Sequence, residues 1–190
     1  MSSDPQAGGA PGAPLFEHMT PTEQTILRRR SIRKFTGEPV APELVDRLLM
    51  AAMAAPSASN RRPWEFVVID DAELLEKLQR RLILGRYRPP LAIVVCGNLK
   101  RAYPSPVGQG FWMQDCSAAA QNILLAATGL GLGSVWIGIH PVGLFVRAVS
   151  QLLKLPKGVV PLGALYIGHP AEARPPRTQY DRSRVHRNGY

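Results

Sequence analysis

The residues best suited to chemistry lie in two short segments near the N-terminus. The first contains Arg29, Arg30, Ser31 and Arg33, so three guanidinium groups and a hydroxyl fall within five positions. The planar fork of N–H donors in arginine matches the paired oxygens of a phosphate. This segment therefore predicts a site for a phosphorylated ligand. The alternative is a solvent-exposed basic turn, because most runs of charge are exposed surface.

The second segment, residues 55–60, follows after one helix-length stretch. It places Pro56 beside the small polar side chains of Ser57 and Asn60. Together the two segments indicate an anion site next to a clamp for a polar ring.

Composition limits the classes of partner. The 190 residues are 45% hydrophobic, which is enough for one domain with a buried core. The 23 lysines and arginines exceed the 14 acidic residues, giving a net charge of +9 that would attract nucleic acid, an anionic membrane or a phosphorylated small molecule. Basic residues concentrate at 28–34 and in the tail after 173, so two clusters could meet at one anion. Aromatic and basic residues do not alternate as a nucleic-acid stacking surface would need, and we expect no nucleic-acid partner.

The chain gives no indication of export or membrane insertion. Residues 1–19 lack the basic start and apolar core of a signal peptide, so we expect a flexible leader followed by a single domain over 20–190 that includes the basic tail. The apolar run 123–139 is divided by glycines, which predicts a helix and then a strand instead of a membrane span. Cys96 and Cys116 lie outside any metal-binding pattern and are interpreted as buried thiols. We therefore expect a cytoplasmic protein without a membrane partner.

The pattern along the chain predicts an α+β fold. Thr20 and Glu23 form a capping box with proline between them, so a helix should begin there and end before the arginines. Asp70 with Glu73 is predicted to cap a later helix that runs to about Leu84. The other predicted helices span 42–55, 112–127 and 142–153, and the predicted strands span 64–69, 91–96, 134–139 and 160–167, with 91–96 central because it is apolar throughout.

Several motifs together resemble the nitroreductase family. They are Arg29-Arg30-Ser31-Ile32-Arg33-Lys34-Phe35, Ala55-Pro56-Ser57 with Asn60, Pro63-Trp64 with Phe66, and Gly129-Leu130-Gly131 with Trp136-Ile137-Gly138. The resemblance implies a small single-domain variant of the family, with a central, mostly antiparallel sheet flanked by helices. It also implies an intertwined homodimer that holds one FMN in each of two sites at the subunit interface.

The resemblance also implies roles for individual residues. Arg29, Ser31 and Arg33 would hold the FMN phosphate and ribityl chain or the pyrimidine edge, and Arg30 would act mainly through its backbone. An arginine beside the pyrimidine edge would stabilise the negative charge of the reduced flavin. Pro56, Ser57 and Asn60 match the segment that reaches the flavin from the other subunit. These residues make dimerisation part of the expected site.

The backbone of Trp136, Ile137 and Gly138 would run along the flavin, with an amide, that of Gly138 by expectation, donating to N5; the alternative is an ordinary buried strand. A basic residue of the tail would close the phosphate site. We expect Arg177 in this position, although Arg182 and Arg184 also fit the spacing.

The implied function is an FMN-dependent oxidoreductase that takes hydride from NADH or NADPH. It would reduce a nitroaromatic, a quinone or a similar small acceptor by a ping-pong mechanism. No catalytic side chain is required, and the four scattered histidines predict no metal site. Two alternatives remain: a specialised flavin reaction without external NAD(P)H, and a flavin-binding protein without turnover. The chain departs from the family pattern at Arg61-Arg62 and in the connection 99–110, which is short. The short connection favours an open pocket. Coenzyme preference, physiological acceptor and one- or two-electron reduction stay open.

Overall fold

The computed structural model describes residues 18–83, 85–104, 108 and 110–190. Most of the expected leader, residues 1–17, lies outside this range, as do Leu84 at the expected end of a helix and four positions of the 99–110 connection. The expectation of one domain over 20–190 stays a prediction.

A four-stranded sheet forms the centre of the fold. Every strand pair is antiparallel and the strand order is β1-β2-β4-β3. The strands are β1 (Trp64–Ile69), β2 (Leu91–Asn98), β3 (Gly133–Gly138) and β4 (Val159–Gly168). The first seven residues of β2 are buried on both faces, which confirms the expected central strand. Strands β1 and β3 are the outer strands of this sheet.

Helices cover both faces of the sheet. The α-helices of the described residues are α1 (Pro21–Arg28), α2 (Pro42–Met53), α3 (Ala72–Arg81), α4 (Phe111–Gly129) and α5 (Gly143–Leu152). Side chains of β2 alternate between two hydrophobic clusters. Ile93 and Val95 face a cluster formed with α2 and α4, whereas Ala92 and Val94 face a cluster formed with α3 and α5. This arrangement confirms the expected α+β fold with helices flanking an antiparallel sheet.

Local side-chain chemistry sets the helix ends. At the start of α1, the Glu23 N–H donates to Thr20 Oγ1 at 3.3 Å and the Thr20 N–H donates to Glu23 Oε2 at 2.8 Å, which confirms the capping box. The expected cap of α3 at Asp70 is wrong. Asp71 is the cap, because its backbone is extended and its Oδ1 accepts the Leu74 N–H at 2.7 Å. Helix α3 ends at Arg81, earlier than expected.

The apolar run 123–139 divides as the glycines predict. Helix α4 ends at Gly129 and β3 begins at Gly133. Gly131 between them has φ +75°, a conformation that L-residues with side chains rarely adopt. Within the described part of the chain, no helix combines the length and apolar character needed to cross a membrane.

Candidate functional site

The arginine segment, residues 29–35, leaves α1 and runs along the outer edge of the sheet. The Ile32 N–H donates to the Ser134 carbonyl of β3 at 2.9 Å, and Ser31 forms a parallel bridge with Ser134. Gly133 makes this approach possible, since a Cβ there would lie 2.7 Å from Ile32 Cγ2. The sheet edge therefore sets the position of the predicted anion-binding residues.

A second segment fastens the arginines from the other side. Residues 169–177, which follow β4 and are called the strap below, run antiparallel to residues 27–36. Three main-chain hydrogen bonds join the two: Thr36 N–H to His169 O at 3.0 Å, Ala171 N–H to Lys34 O at 2.9 Å, and Arg177 N–H to Leu27 O at 3.0 Å. The Arg30 guanidinium also donates to the Pro175 carbonyl. The start of the basic tail thus lies beside the arginine segment.

Three guanidinium groups converge as a result. Burial lowers the pKa of the half-buried Arg29, and the positive charges of Arg177 and Arg30 lower it further. No carboxylate among the described residues forms an ion pair with any of these three arginines. Like charges held together without a counter-charge favour an anion between them. Arg177 of the basic tail therefore lies close to the arginine segment, and a shared anion between the two clusters stays a prediction.

A cavity of about 420 Å³ lies at the edge of β3, and its lining includes Arg33 of the arginine segment. It brings together four predicted site residues, Arg33, Trp136, Ile137 and Gly138. Its remaining lining consists of Leu82, Tyr87, Val135, His140, Val142 and Phe145. The guanidinium carbon of Arg33 lies 5.8 Å from the centre of the Tyr87 ring. An apolar and aromatic lining with one guanidinium suits a flat ring that has a polar edge.

Two paired glycines, of which Gly138 lines the cavity, leave space for neighbouring groups. Gly138 and Gly163 pair across β3 and β4. A Cβ on Gly163 would lie 3.1 Å from Trp136 Cδ1 and 3.0 Å from the Ile137 carbonyl, so only glycine leaves room for the indole. A Cβ on Gly138 would meet open space, and the residue is exposed. Its backbone is therefore accessible to a ligand, as the site prediction requires.

The turn at 56–60 lies elsewhere in the chain. Ser57 Oγ accepts the Arg62 N–H at 2.9 Å, and the Ala58 N–H donates to Oδ1 of the buried Asp115 on α4 at 2.9 Å. Within the part of the chain that the structure describes, no residue of this turn lines the cavity or hydrogen-bonds to the arginine segment. One chain thus does not bring Pro56, Ser57 and Asn60 to the other predicted site residues.

Three side chains around the site were not predicted from the sequence. Tyr87 and His140 line the cavity, and the His140 ring stands edge-to-face against Trp112 with ring centres 5.2 Å apart. Glu172 of the strap contacts the arginine segment. His140 stands two positions after Gly138, a spacing that returns a side chain to the same face of an extended chain. That spacing was the available signal for His140, whereas Tyr87 and Glu172 are brought in by long-range contacts.

The cysteines take no part in the cavity lining. Cys96 and Cys116 are both buried, and Cys116 Sγ donates to the Cys96 carbonyl at 3.5 Å. Burial raises the pKa of each thiol to about 12. These observations confirm the interpretation as buried thiols.

Comparison with known proteins supports the resemblance to the nitroreductase family. The family model described as "Nitroreductase family" matches residues 26–85 and 87–169. A protein of Methanothermobacter thermautotrophicus named "Putative NADH dehydrogenase/NAD(P)H nitroreductase" is 42% identical over 167 residues, covering 86% of this chain and 84% of the relative.

Solved structures agree. One bearing the same name, from Parabacteroides distasonis, has a TM-score of 0.85 and 38% identity, and the match covers 90% of this chain and 100% of that one. An "FMN-dependent Nitroreductase" from Clostridium difficile has a TM-score of 0.79 and 32% identity, with 88% and 99% of the two chains covered. With these matches across most of its length, the chain belongs to the nitroreductase family.

Proposed function

We propose that the protein is an FMN-dependent oxidoreductase that takes hydride from NADH or NADPH and reduces a small acceptor such as a nitroaromatic or a quinone. One observation carries this proposal: the segment that contains Arg29 and Arg30, whose charges lie near that of Arg177, continues directly to Arg33, which lines an aromatic cavity. The names of the family relatives, which include NAD(P)H and FMN, support the same chemistry.

The residues present fit FMN. The FMN phosphate would contact Arg29, Ser31 and Arg177. Its negative charge would offset the repulsion between the neighbouring guanidinium groups. The isoalloxazine ring would enter the cavity, where Tyr87 and Phe145 supply apolar surface. When bound, FMN supplies a two-electron carrier that accepts hydride from the nicotinamide and delivers it to the acceptor.

The residues of the chain would bind and orient the flavin ring. The Arg33 guanidinium would place positive charge at the ring edge where negative charge accumulates on reduction. The exposed backbone of Gly138 offers an amide N–H to the ring without an intervening side chain. The apolar side chains of Val135, Ile137 and Phe145 would limit the access of water to a ring bound in the cavity.

We propose further that two copies of the chain complete each site. The turn at 56–60 lies away from the cavity in one chain, so its expected contact with the flavin requires a second copy. Large apolar side chains are exposed at Ile26, Met50 and Met53, with Met50 72% and Met53 56% exposed. Covering them would bury apolar surface between subunits. Sedimentation velocity should give the mass of a dimer, and a monomer that still binds FMN at full affinity would contradict this arrangement.

The first experiment is an anaerobic visible spectrum of the purified protein reconstituted with FMN. Addition of NADH or NADPH should bleach the flavin absorbance, and a quinone or nitroaromatic should restore it. Protein that takes up no FMN would overturn the proposal. Flavin that neither nicotinamide reduces would favour the specialised reaction without NAD(P)H, and reduced flavin that no acceptor reoxidises would favour a flavin-binding protein without turnover.

The ping-pong mechanism has its own test. Because both substrates would use one cavity in turn, double-reciprocal plots at several acceptor concentrations should be parallel. Intersecting lines would require both substrates to be bound together.

Cytoplasmic location is tested separately by fractionation of cells.

A further inference from the structure

Glu172 in the strap makes an unusual set of contacts. Its Oε1 accepts the Arg33 N–H at 2.6 Å and the Lys34 N–H at 3.3 Å, and its Oε2 accepts from Arg174 Nη2 at 3.0 Å. Only 16% of the Glu172 side chain is exposed. One carboxylate therefore holds two successive backbone amides of the arginine segment and one guanidinium of its own segment.

The neighbouring backbone groups explain why these amides need a side-chain acceptor. Ile32 N–H is bonded to β3, and the Lys34 carbonyl is bonded to Ala171 N–H of the strap. The Arg33 and Lys34 amides fall between these main-chain contacts, where the strap presents a carboxylate instead of a carbonyl. Backbone N–H groups need an acceptor, and a charged acceptor gives a shorter and stronger bond.

The position of the Arg33 backbone decides where its guanidinium lies. That guanidinium lines the cavity and faces the Tyr87 ring. The Arg33 guanidinium makes no ion pair with a carboxylate of the described residues, so its placement depends on the backbone and on Tyr87.

We propose that Glu172 is a positioning residue for Arg33: its carboxylate fixes the Arg33 main chain and thereby holds the guanidinium at the flavin cavity. This inference rests on the proposed function, because it assigns Arg33 to the flavin ring. Glu172 itself does not line the cavity and is not a catalytic residue.

The electrostatics of Glu172 agree with this role. The hydrogen bond from the Arg33 amide and the contact with Arg174 lower the pKa of the Glu172 carboxyl, and the bond from the Lys34 amide lowers it further. A lowered pKa keeps the carboxylate ionised through its ordinary titration range and below it, so its contacts weaken only as the pH falls through the lowered value. At neutral pH the contacts are therefore fully formed.

The test compares Glu172→Ala, Glu172→Gln and a matched control, Glu38→Gln. Glu38 is exposed, and its carboxylate has no hydrogen-bond or ion-pair partner among the described residues. Hydrogen exchange of the Arg33 and Lys34 amides, measured without flavin, should accelerate about tenfold or more in Glu172→Ala. Glu172→Gln retains a neutral acceptor and should show a smaller increase. Glu38→Gln should match the wild type.

The flavin readouts separate positioning from a general loss of structure. The dissociation constant for FMN should rise about tenfold in Glu172→Ala, and the flavin midpoint potential should become more negative, as expected when Arg33 charge leaves the ring. In an Arg33→Ala background, Glu172→Ala should produce no further change in potential, because the two residues act in one chain of contacts.

Three results would overturn the inference: unchanged exchange of both amides, unchanged FMN affinity and potential, or effects of Glu172→Ala that add fully to those of Arg33→Ala. A wild-type protein that binds no FMN would defeat the proposed function, and this role of Glu172 with it. The exchange measurement would still decide whether Glu172 holds the Arg33 backbone.

Discussion

Replacing Arg177 by alanine distinguishes two effects of the guanidinium cluster: the repulsion between its charges and its contribution to binding the FMN phosphate. The Arg177 backbone N–H donates to the Leu27 carbonyl, and alanine keeps that bond. The substitution therefore removes only the side chain, which is exposed and lies close enough to Arg29 to lower its pKa. The strap should remain in place, and any change in ligand affinity can be assigned to the lost charge.

The substitution should weaken FMN binding but should not lower the free energy of unfolding of the protein without ligand. A hydrogen bond between a guanidinium and a phosphate contributes about 1.5–3 kcal/mol, which corresponds to a rise in the FMN dissociation constant of roughly 10- to 150-fold. Without ligand, Arg177→Ala relieves repulsion at Arg29, so the free energy of unfolding should stay the same or rise by less than about 1 kcal/mol. Weaker binding and undiminished stability should occur in the same variant.

The assay is a titration of the apoprotein with FMN, followed by flavin fluorescence at fixed ionic strength, together with urea denaturation of the apoprotein. Arg182→Ala is the matched control, because Arg182 is exposed on the same tail and its loss changes the net charge equally. Equal weakening by the two variants would show that overall charge, and not this cluster, attracts the ligand. Unchanged affinity in Arg177→Ala would refute the assignment of Arg177 to the phosphate.

Three further experiments test other parts of the structure. Gly163→Ala should destabilise by about 1–3 kcal/mol in urea and shift tryptophan emission, since the added methyl displaces Trp136, whereas Gly129→Ala, in open space on α4, should stabilise by about 0.5–1 kcal/mol. Asp115→Ala should cost about 1–3 kcal/mol by leaving the Ala58 amide without its partner, and Asp115→Asn should recover part of that loss. The two buried thiols, with pKa values raised to about 12, should resist a thiol-specific disulfide reagent at pH 8 until the protein unfolds.

Features with local causes could be predicted from the sequence. The capping box at Thr20 depends on residues three positions apart, and the strand β2 on an uninterrupted apolar run. The cap of α3 was predicted at Asp70 instead of Asp71 because either aspartate side chain can cap a helix. The extended backbone conformation of Asp71 makes it the cap, and the sequence does not show that conformation.

Contacts between distant segments could not be predicted in this way. Glu172 lies 139 positions from Arg33 along the chain, and nothing in the local pattern of either segment indicates the contact. Spacing alone also left three arginines of the tail as candidates for the phosphate site. The antiparallel register of the strap places one of them, Arg177, beside the end of α1 and near Arg29, which supports the proposal for that residue.

Main-chain hydrogen bonds set the register that brings the arginines together, and the side chains of Arg30 and Glu172 add to them. Main-chain hydrogen bonds join the strap to residues 27–36, and their number does not depend on the charge of Arg29 or Arg177. The fold thus holds like charges close together in the absence of ligand, at a cost in stability that the surrounding bonds offset. A phosphate-bearing ligand would both form charge-assisted bonds and cancel that repulsion. Saturating FMN should consequently raise the melting temperature of the wild type more than that of Arg177→Ala, because stabilisation by a ligand grows with its affinity for the folded state.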